Sequence, residues 1–543
     1  MPDAPLRASA APADSAAHFA ARSAAHSAAH SAEFLRVKAQ AERGVAQAQH
    51  SLGFMYASGQ GVPKSDELAV AWYRMAAAAG LAQAQYNLGV MFQKGQGVEQ
   101  DFGQAAHWYG RAADQGYAPA QYNLGWLYAK GHGVTSDVGR ALHWFSQAAD
   151  QGEPGAQHNL GMMFETGKGV AQDQEAALRW YRRAAEQGYA RSQYNLGLRY
   201  EAGQGVARDA REALAWMRKA AEQGHAPAQF NLGLRYDKGQ DVEQDSRQAI
   251  LWYGRAGEQG HASSQFNLAL IYDSGDSGGH GVARDEALAL AWYRRAAEQG
   301  HAGAQNSLGM RHEHGQGVAV DAAQAAAWYR RAAEQGLPAA QYHLGQLLDA
   351  GNGVGQDPAE ATGWYRKAAE QGHLRAQFDL GLRFEAGNGV EQDSAQALAW
   401  YRRAAGQDYA PAQYMVGALL DRLENGDPFE ATDWFHKAAD QKHALAQFEL
   451  GLRYDCGKGV ERDYEAAHFW YLCAARQGHA RAQFNLGVMY AAGQGAQRDL
   501  VEAYAWLHRA GAAGVAPASA YLTKVARRME AHQLSQAERL ISA

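Results

Sequence analysis

Residues Tyr117 to Gly152 read YAPAQYNLGWLYAKGHGVTSDVGRALHWFSQAADQG. In the first half, Ala120, Leu124, Gly125 and Tyr128 recur at helical spacing and form one apolar stripe. A Gly-His-Gly-Val turn follows, and Asp137 takes the N-cap position of a second helix. That helix sets Ala141, Trp144, Phe145, Ala148 and Ala149 at three- and four-residue steps. Gly152 ends it, where a left-handed residue is commonly needed. The stretch predicts a helix-turn-helix.

The pattern does not stay local. Trp72, Trp108, Trp144, Trp180, Trp216 and Trp252 stand thirty-six residues apart, and Trp292, Trp328, Trp364 and Trp400 resume that step after one break. Trp434, Trp470 and Trp506 close a series that takes up thirteen of the fourteen tryptophans. A period of this size marks units that bury their cores only by stacking on neighbours. Gly89, Gly125, Gly161, Gly197 and Gly233 are expected to let the two helix backbones approach opposite the tryptophan. Asp101, Asp173, Asp209, Asp245, Asp321, Asp393, Asp463 and Asp499 repeat the N-cap.

The string AQYNLG–x2–Y–x2–GxGV–x2–D–x3–A–x2–WY–x2–AA–x–QG closely resembles the Sel-1-like repeat, a relative of the tetratricopeptide repeat. The resemblance runs through thirteen units. It implies an all-α fold, a right-handed α/α superhelical solenoid with the first helices lining the concave surface, and a role as an adaptor that holds proteins together. The expected organisation is a disordered Ala/Ser/His-rich segment over 1–32, a capping helix over 33–44, the solenoid over 45–514 and capping helices over 515–543. Unit seven departs from the pattern with Ala269 and a turn lengthened between Ser274 and His280; unit six carries Asp241 in its turn; unit ten ends in Asp408; unit eleven is two residues short. Local irregularities are expected near 270–285 and 408–427.

The net charge of −6 over 543 residues, with both signs interspersed, argues against nucleic acid as partner. No apolar run suits membrane insertion, and the N-terminus lacks the pattern of a secretory signal, which points to the cytoplasm of a bacterium. Cys456 and Cys473 read as free thiols. No phosphate-binding loop, nucleophile elbow or zinc-protease motif occurs, so no catalytic residue and no cofactor is assigned. His225, His261, His301, His373, His443 and His479 share one consensus position, one per unit, and do not converge on a metal. His26 and His30 offer at most adventitious metal binding, and His312 and His314 read as packing variation. The pairs Arg182-Arg183, Arg294-Arg295, Arg330-Arg331 and Arg402-Arg403 read as a solvated face, with Arg182 pairing Glu186.

Counting from the repeated glutamine of the first helix as position 0, positions +1, +2, +5, +8 and +9 project from the core. Asparagine recurs at +2: Asn87, Asn123, Asn159, Asn195, Asn231, Asn267 and Asn485. A carboxamide donates and accepts together, so a ladder of them can hold an extended peptide backbone. Lys94, Lys130 and Lys238 at +9 would add charge for an acidic segment. At +1 stand Tyr86, Tyr122 and other aromatic residues, explained mainly by packing between successive first helices. Trp126, with Met162 at the same position in the next unit, stands at +5; it is the one tryptophan outside the repeat register and the strongest candidate for a groove anchor. Arg199, Arg235, Arg311, Arg383 and Arg453 at +6 are expected at the groove edge, with Asp379–Arg383 and Glu449–Arg453 as i,i+4 pairs.

These features favour a non-enzymatic scaffold that binds a peptide or protein in the groove. The alternative is a hydrolase or small-ligand-binding protein acting on a cell-wall-related substrate, and a third class is self-association.

Overall fold

The computed structural model describes residues 32–275 and 282–542, and every regular element among them is a helix. The N-terminal segment with His26 and His30, and most of the enlarged turn of repeat seven, lie outside the described residues. Helices come in pairs joined by a short turn, as in Ala118–Lys130 and Val138–Asp150, and the pairs repeat through Ala480–Ala492 and Leu500–Ala512. This is an α/α solenoid. The described residues form two compact units, one within Met1–Ser264 with Gly279–Val282 and the other within Gln265–Gly278 with Ala283–Ala543. The first holds a helix at 32–42 and repeats one to six; the second holds repeats eight to thirteen and the helices Ala518–Ala526 and Ala531–Ser542.

Local chemistry sets each helix end. Asp101 Oδ1 accepts from the Gln104 amide at 2.9 Å and Asp137 Oδ1 from the Arg140 amide at 2.9 Å, satisfying donors that a helix start leaves unpaired. The first helix of repeat two stops at Gly95, φ 69°, and Gly97 follows at φ 66°. Gly97 has a second reason to be glycine: a Cβ there would lie 2.3 Å from the backbone of Asp66, at the start of the preceding second helix. Three departures from glycine keep the left-handed conformation, at Asp241, Asp408 and Lys442. Lys442 occupies the same position one repeat after Asp408, and the sequence patterning did not single it out. In repeat eleven the first helix is short, Ala410–Leu420, in line with the irregularity expected there.

The close approach of the paired helices is made by the residue after the tryptophan. Gly89 faces Tyr109, with a Cβ at Gly89 placed only 2.7 Å from Tyr109 Cδ1, and Gly161 faces Tyr181 at 2.8 Å in the same way. Tyr109, Tyr181, Tyr253, Tyr329 and Tyr401 have no solvent exposure. The tryptophans sit one residue further round the helix. Trp108, Trp144, Trp180 and Trp216 are half-buried, and a cation three residues on covers several of them, with Arg183 4.7 Å from the Trp180 ring and Lys219 3.9 Å from Trp216. The expectation that glycine lies opposite tryptophan is therefore corrected.

The position-0 glutamine ties three helices together. Gln85 Nε2 donates to Ala77 O of the preceding second helix at 3.2 Å, while Gln85 Oε1 accepts from Gln115 Nε2, just past the end of its own second helix, at 2.7 Å. The same pair of bonds recurs at Gln121 with Ala113 and Gln151, and at Gln447 with Ala439 and Gln477. A buried amide is tolerated only with such partners. Gln49 bonds Ala41 O at 3.2 Å, so the helix at 32–42 stands to repeat one as any second helix stands to the next repeat.

Candidate functional site

The face of the first helices is set by what the stack consumes and what it leaves. Position +1 is consumed. Tyr86 packs its ring 5.4 Å from Tyr117 and 5.8 Å from Tyr109, Tyr122 packs on Phe145, and Phe448 stacks 4.4 Å from His479. Most of the +2 amides turn to the preceding repeat. Asn87 Nδ2 is 2.9 Å from His50 Nε2, and Asn231 Nδ2 donates to the Tyr194 hydroxyl at 2.7 Å. The amides of Asn123 and Asn195 reach the hydroxyls of Tyr109 and Tyr181. Asn159 and Asn267 are half-buried. Lys94, Lys130 and Lys238 are exposed in the last turn of their helices, where a cation also suits the helix dipole.

The arginines at +6 are not at an edge. Arg199, Arg311 and Arg453 are 2% exposed, and each pairs with the +8 carboxylate of the preceding repeat rather than along its own helix. Arg199 meets Glu165 at 2.9 Å, and Arg311, Arg383 and Arg453 pair with Asp273, Asp349 and Asp421. Arg235 pairs with Glu201 and with Asp241, each at 2.5 Å, which gives the turn aspartate of repeat six a structural partner. The i,i+4 expectation for Asp379–Arg383 and Glu449–Arg453 is corrected: Tyr342 donates to Asp379 at 2.9 Å, and Arg383 and Arg453 reach back one repeat. The paired arginines of the second helices also act between elements. Arg182 Nη2 donates to the Tyr200 hydroxyl at 2.8 Å instead of pairing Glu186, and Arg330 meets Glu360 at 2.7 Å.

What remains is position +5. Phe54, Met162, Leu198, Leu270, Met310 and Leu382 are between 36% and 48% exposed, and Val90, Trp126, Leu234, Leu452 and Val488 at the same position are half-buried. The row was legible as a repeated apolar residue five positions after the glutamine, but only Trp126 and Met162 were picked out from it. Between repeats three and four the row opens into a cleft of about 380 Å³ lined by Trp126, Lys130, Asn159 and Met162, four of the expected groove residues. Val138, Ala141, Phe145 and Met163 add apolar lining, and Lys168 and Arg191 add charge. Arg191 stands two residues before the glutamine, where Arg375 and Arg481 recur, and Lys168 stands between the turn glycines as Lys458 does; both positions lie outside the outward positions counted above.

The inter-repeat histidines are N-caps with aromatic neighbours. His373 Nδ1 accepts from the Ala376 amide and His479 Nδ1 from the Ala482 amide, both at 3.2 Å. Burial lowers the pKa of His225, His261, His373, His443 and His479, and of His50 and His343. His158, whose Nδ1 lies 2.9 Å from Ser192 Oγ, is pushed down to about 4 by burial. An unfolded chain holds its histidine protons up to about pH 6.5, so it binds more protons than the folded chain below that pH. Stability is then complete above about pH 6.5 and declines as pH falls towards 4. Burial raises Asp379 and Glu449, which act in the opposite direction but are only two groups. The thermal midpoint is expected to drop steadily between pH 7 and 4.5; a flat or rising midpoint over that range would contradict this.

Ser307, His343 and Asp379 occupy +2 in three consecutive repeats, a sequence order that invites comparison with a catalytic triad. They are not joined as one. Asp379 accepts from Tyr342, and the His343 ring stacks 5.0 Å from Tyr329. Among the described residues no group of three or more His, Cys, Asp or Glu is placed to hold a metal ion, and no helix is long and apolar enough to cross a membrane. Cys456 and Cys473 are both free.

Comparison with known proteins agrees with this architecture. The profile of the Sel1 repeat matches thirteen times in succession, at residues 46–81, 82–117, 118–153, 154–189, 190–225, 226–261, 262–301, 302–337, 338–373, 374–409, 410–443, 444–479 and 480–515. The structure is similar to c5321, described as a protective antigen present in uropathogenic Escherichia coli strains displaying an SLR fold, at 35% identity and a TM-score of 0.54 over 87% of this chain and 93% of that one. A Sel1 repeat protein from Oxalobacter formigenes is 35% identical over 58% of this chain and 90% of its own, with a TM-score of 0.46. Comparison with curated protein sequences gives no significant match.

Proposed function

We propose that this chain, which belongs to the Sel1 repeat family, is an interaction scaffold that takes a peptide or protein along the faces of its first helices. The observation that carries this reading is the +5 row. A single exposed apolar side chain is ordinary, but six at the same helical position, with five more half-buried there, form a patterned surface of the kind interaction sites use. Solenoids of this class are typically protein-interaction scaffolds, because stacked units extend a surface without needing a larger core. The stack supports the same reading from the other side: aromatic +1 residues, most +2 amides and the +6 arginines are occupied by structure, which leaves +5 and the +9 lysines to meet a partner.

Capture experiments test it. Met162→Glu and Leu198→Glu, both at exposed positions, are expected to lose at least about tenfold in partner capture, the effect of about 1.4 kcal/mol. Leu251→Glu and Phe469→Glu, exposed on second helices, should retain it with unchanged thermal unfolding. Equal capture by all four variants would sink the assignment of the first-helix face.

A further inference from the structure

We propose that the cleft between repeats three and four is an anchor site for one large apolar side chain of an acidic peptide segment. This rests on the first-helix face as the interaction surface and adds the chemistry of the partner. The volume of about 380 Å³ lies at the small end of the roughly 300–1,000 Å³ of ligand pockets and has room for one large side chain. Val138, Ala141, Phe145 and Met163 supply an apolar lining, and Trp126 and Met162 flank it as neighbours in the +5 row.

Charge decides the partner. Lys130, Lys168 and Arg191 line the cleft from three successive repeats, all three are exposed, and no carboxylate lines it. Two acids adjoin the lining in sequence. Glu165 is already held by Arg199 at 2.9 Å and by the Tyr181 hydroxyl at 2.5 Å. Asp137 caps its helix at the Arg140 amide and pairs with the Arg140 side chain at 3.5 Å. Three solvated cations around an apolar cavity favour an apolar side chain with carboxylates beside it, and they disfavour a basic segment by like-charge repulsion. A second cleft on first-helix residues, between repeats twelve and thirteen, makes the contrast: Glu449 lines it beside the single cation Arg481. The larger clefts around Asp245, Asp393 and Asp463 are built from recurring turn residues and carry no such selectivity.

The test uses the full chain and fluorescein-labelled heptapeptides read by anisotropy. One has a central phenylalanine flanked by glutamates, a second has alanine at the centre, and a third has lysines as flanks. The glutamate–phenylalanine peptide is expected to bind at least about tenfold more tightly than either control, and more weakly as salt rises. The triple variant Lys130→Glu, Lys168→Glu, Arg191→Glu changes only exposed side chains and should lose that preference; Trp126→Ala should weaken the phenylalanine peptide and leave the alanine peptide unchanged. Equal binding of the phenylalanine and alanine peptides, insensitivity to charge reversal, or binding of dodecanoate or a single-stranded oligonucleotide in place of the peptide would each overturn the assignment. If no peptide binds while Met162→Glu still abolishes partner capture, the first-helix face stands and the anchor falls. If capture is also unaffected, both fall.

Discussion

Asp421→Ala is expected to destabilise repeats eleven and twelve by about 3 kcal/mol, because it strips a buried guanidinium of its counter-charge. Arg453 is 2% exposed, and Asp421 also serves Lys458 at 3.0 Å. Breaking a buried pair costs about 3–5 kcal/mol, and two facts place this one at the lower end. The Asp421 side chain keeps 18% exposure, and Arg453 Nη1 retains bonds to Pro428 O at 3.0 Å and Thr432 Oγ1 at 2.8 Å. The chain itself contains the apolar alternative: Met163 occupies the +6 position behind Ala129 at +8, and Met163 is buried without any ion pair. Asp421→Ala combined with Arg453→Met copies that solution and should regain more than half of the loss. Because repeats contact mainly their neighbours, a single unfolding midpoint is a poor gauge. Hydrogen exchange should instead show protection falling in the helices Ala410–Leu420 and Ala444–Cys456 while Ala118–Lys130 is unchanged. A loss below about 1 kcal/mol would mean that the pair is solvated and contributes as a surface bridge does.

The same pair shows where sequence reasoning reaches its limit. Helix ends were legible because Asp137 and Gly131 act on backbone within a few residues of themselves. The period was legible because every repeat faces nearly the same neighbours. Arg383 was not, since Asp379 one turn away and Asp349 in the preceding repeat are both acids, and only burial by the stack selects the second. Asn87 and Asn231 show the same ambiguity at the candidate site: a carboxamide suited to a peptide backbone is equally suited to His50 or to the Tyr194 hydroxyl. The cleft adds a third kind of case. Trp126 and Met162 stood out as large apolar residues at an outward position, whereas Lys168 lies in a turn and Arg191 near the start of another helix. What brings them together is the stacking of three repeats, which a count along one helix does not register.

Tyr109→Ala is expected to cost more than Trp108→Ala, although tryptophan is the larger residue and the one that reveals the repeat. Tyr109 has no exposure, lies against Gly89, and donates its hydroxyl to Gln93 Oε1 at 2.6 Å. Burial raises its pKa, with Tyr86 nearby adding to the effect, so the phenol stays neutral throughout the accessible pH range. Removing such a ring leaves a cavity and an unpaired acceptor, for about 3–5 kcal/mol. Trp108 is half-buried with Arg111 5.5 Å from its ring, so its removal exposes less new surface and should cost about 2 kcal/mol. The glycine provides an internal check. Gly89→Ala puts a Cβ 2.7 Å from Tyr109 Cδ1, an overpacking worth about 1–3 kcal/mol. Repeat seven already carries Ala269 there, fully buried, so the fold can absorb a methyl group at that position. The double variant Gly89→Ala with Tyr109→Ala should therefore cost less than the sum of the two, since the ring that the new methyl strikes is gone. Strict additivity, or a greater loss from Trp108→Ala than from Tyr109→Ala, would return the close helix contact to the tryptophan.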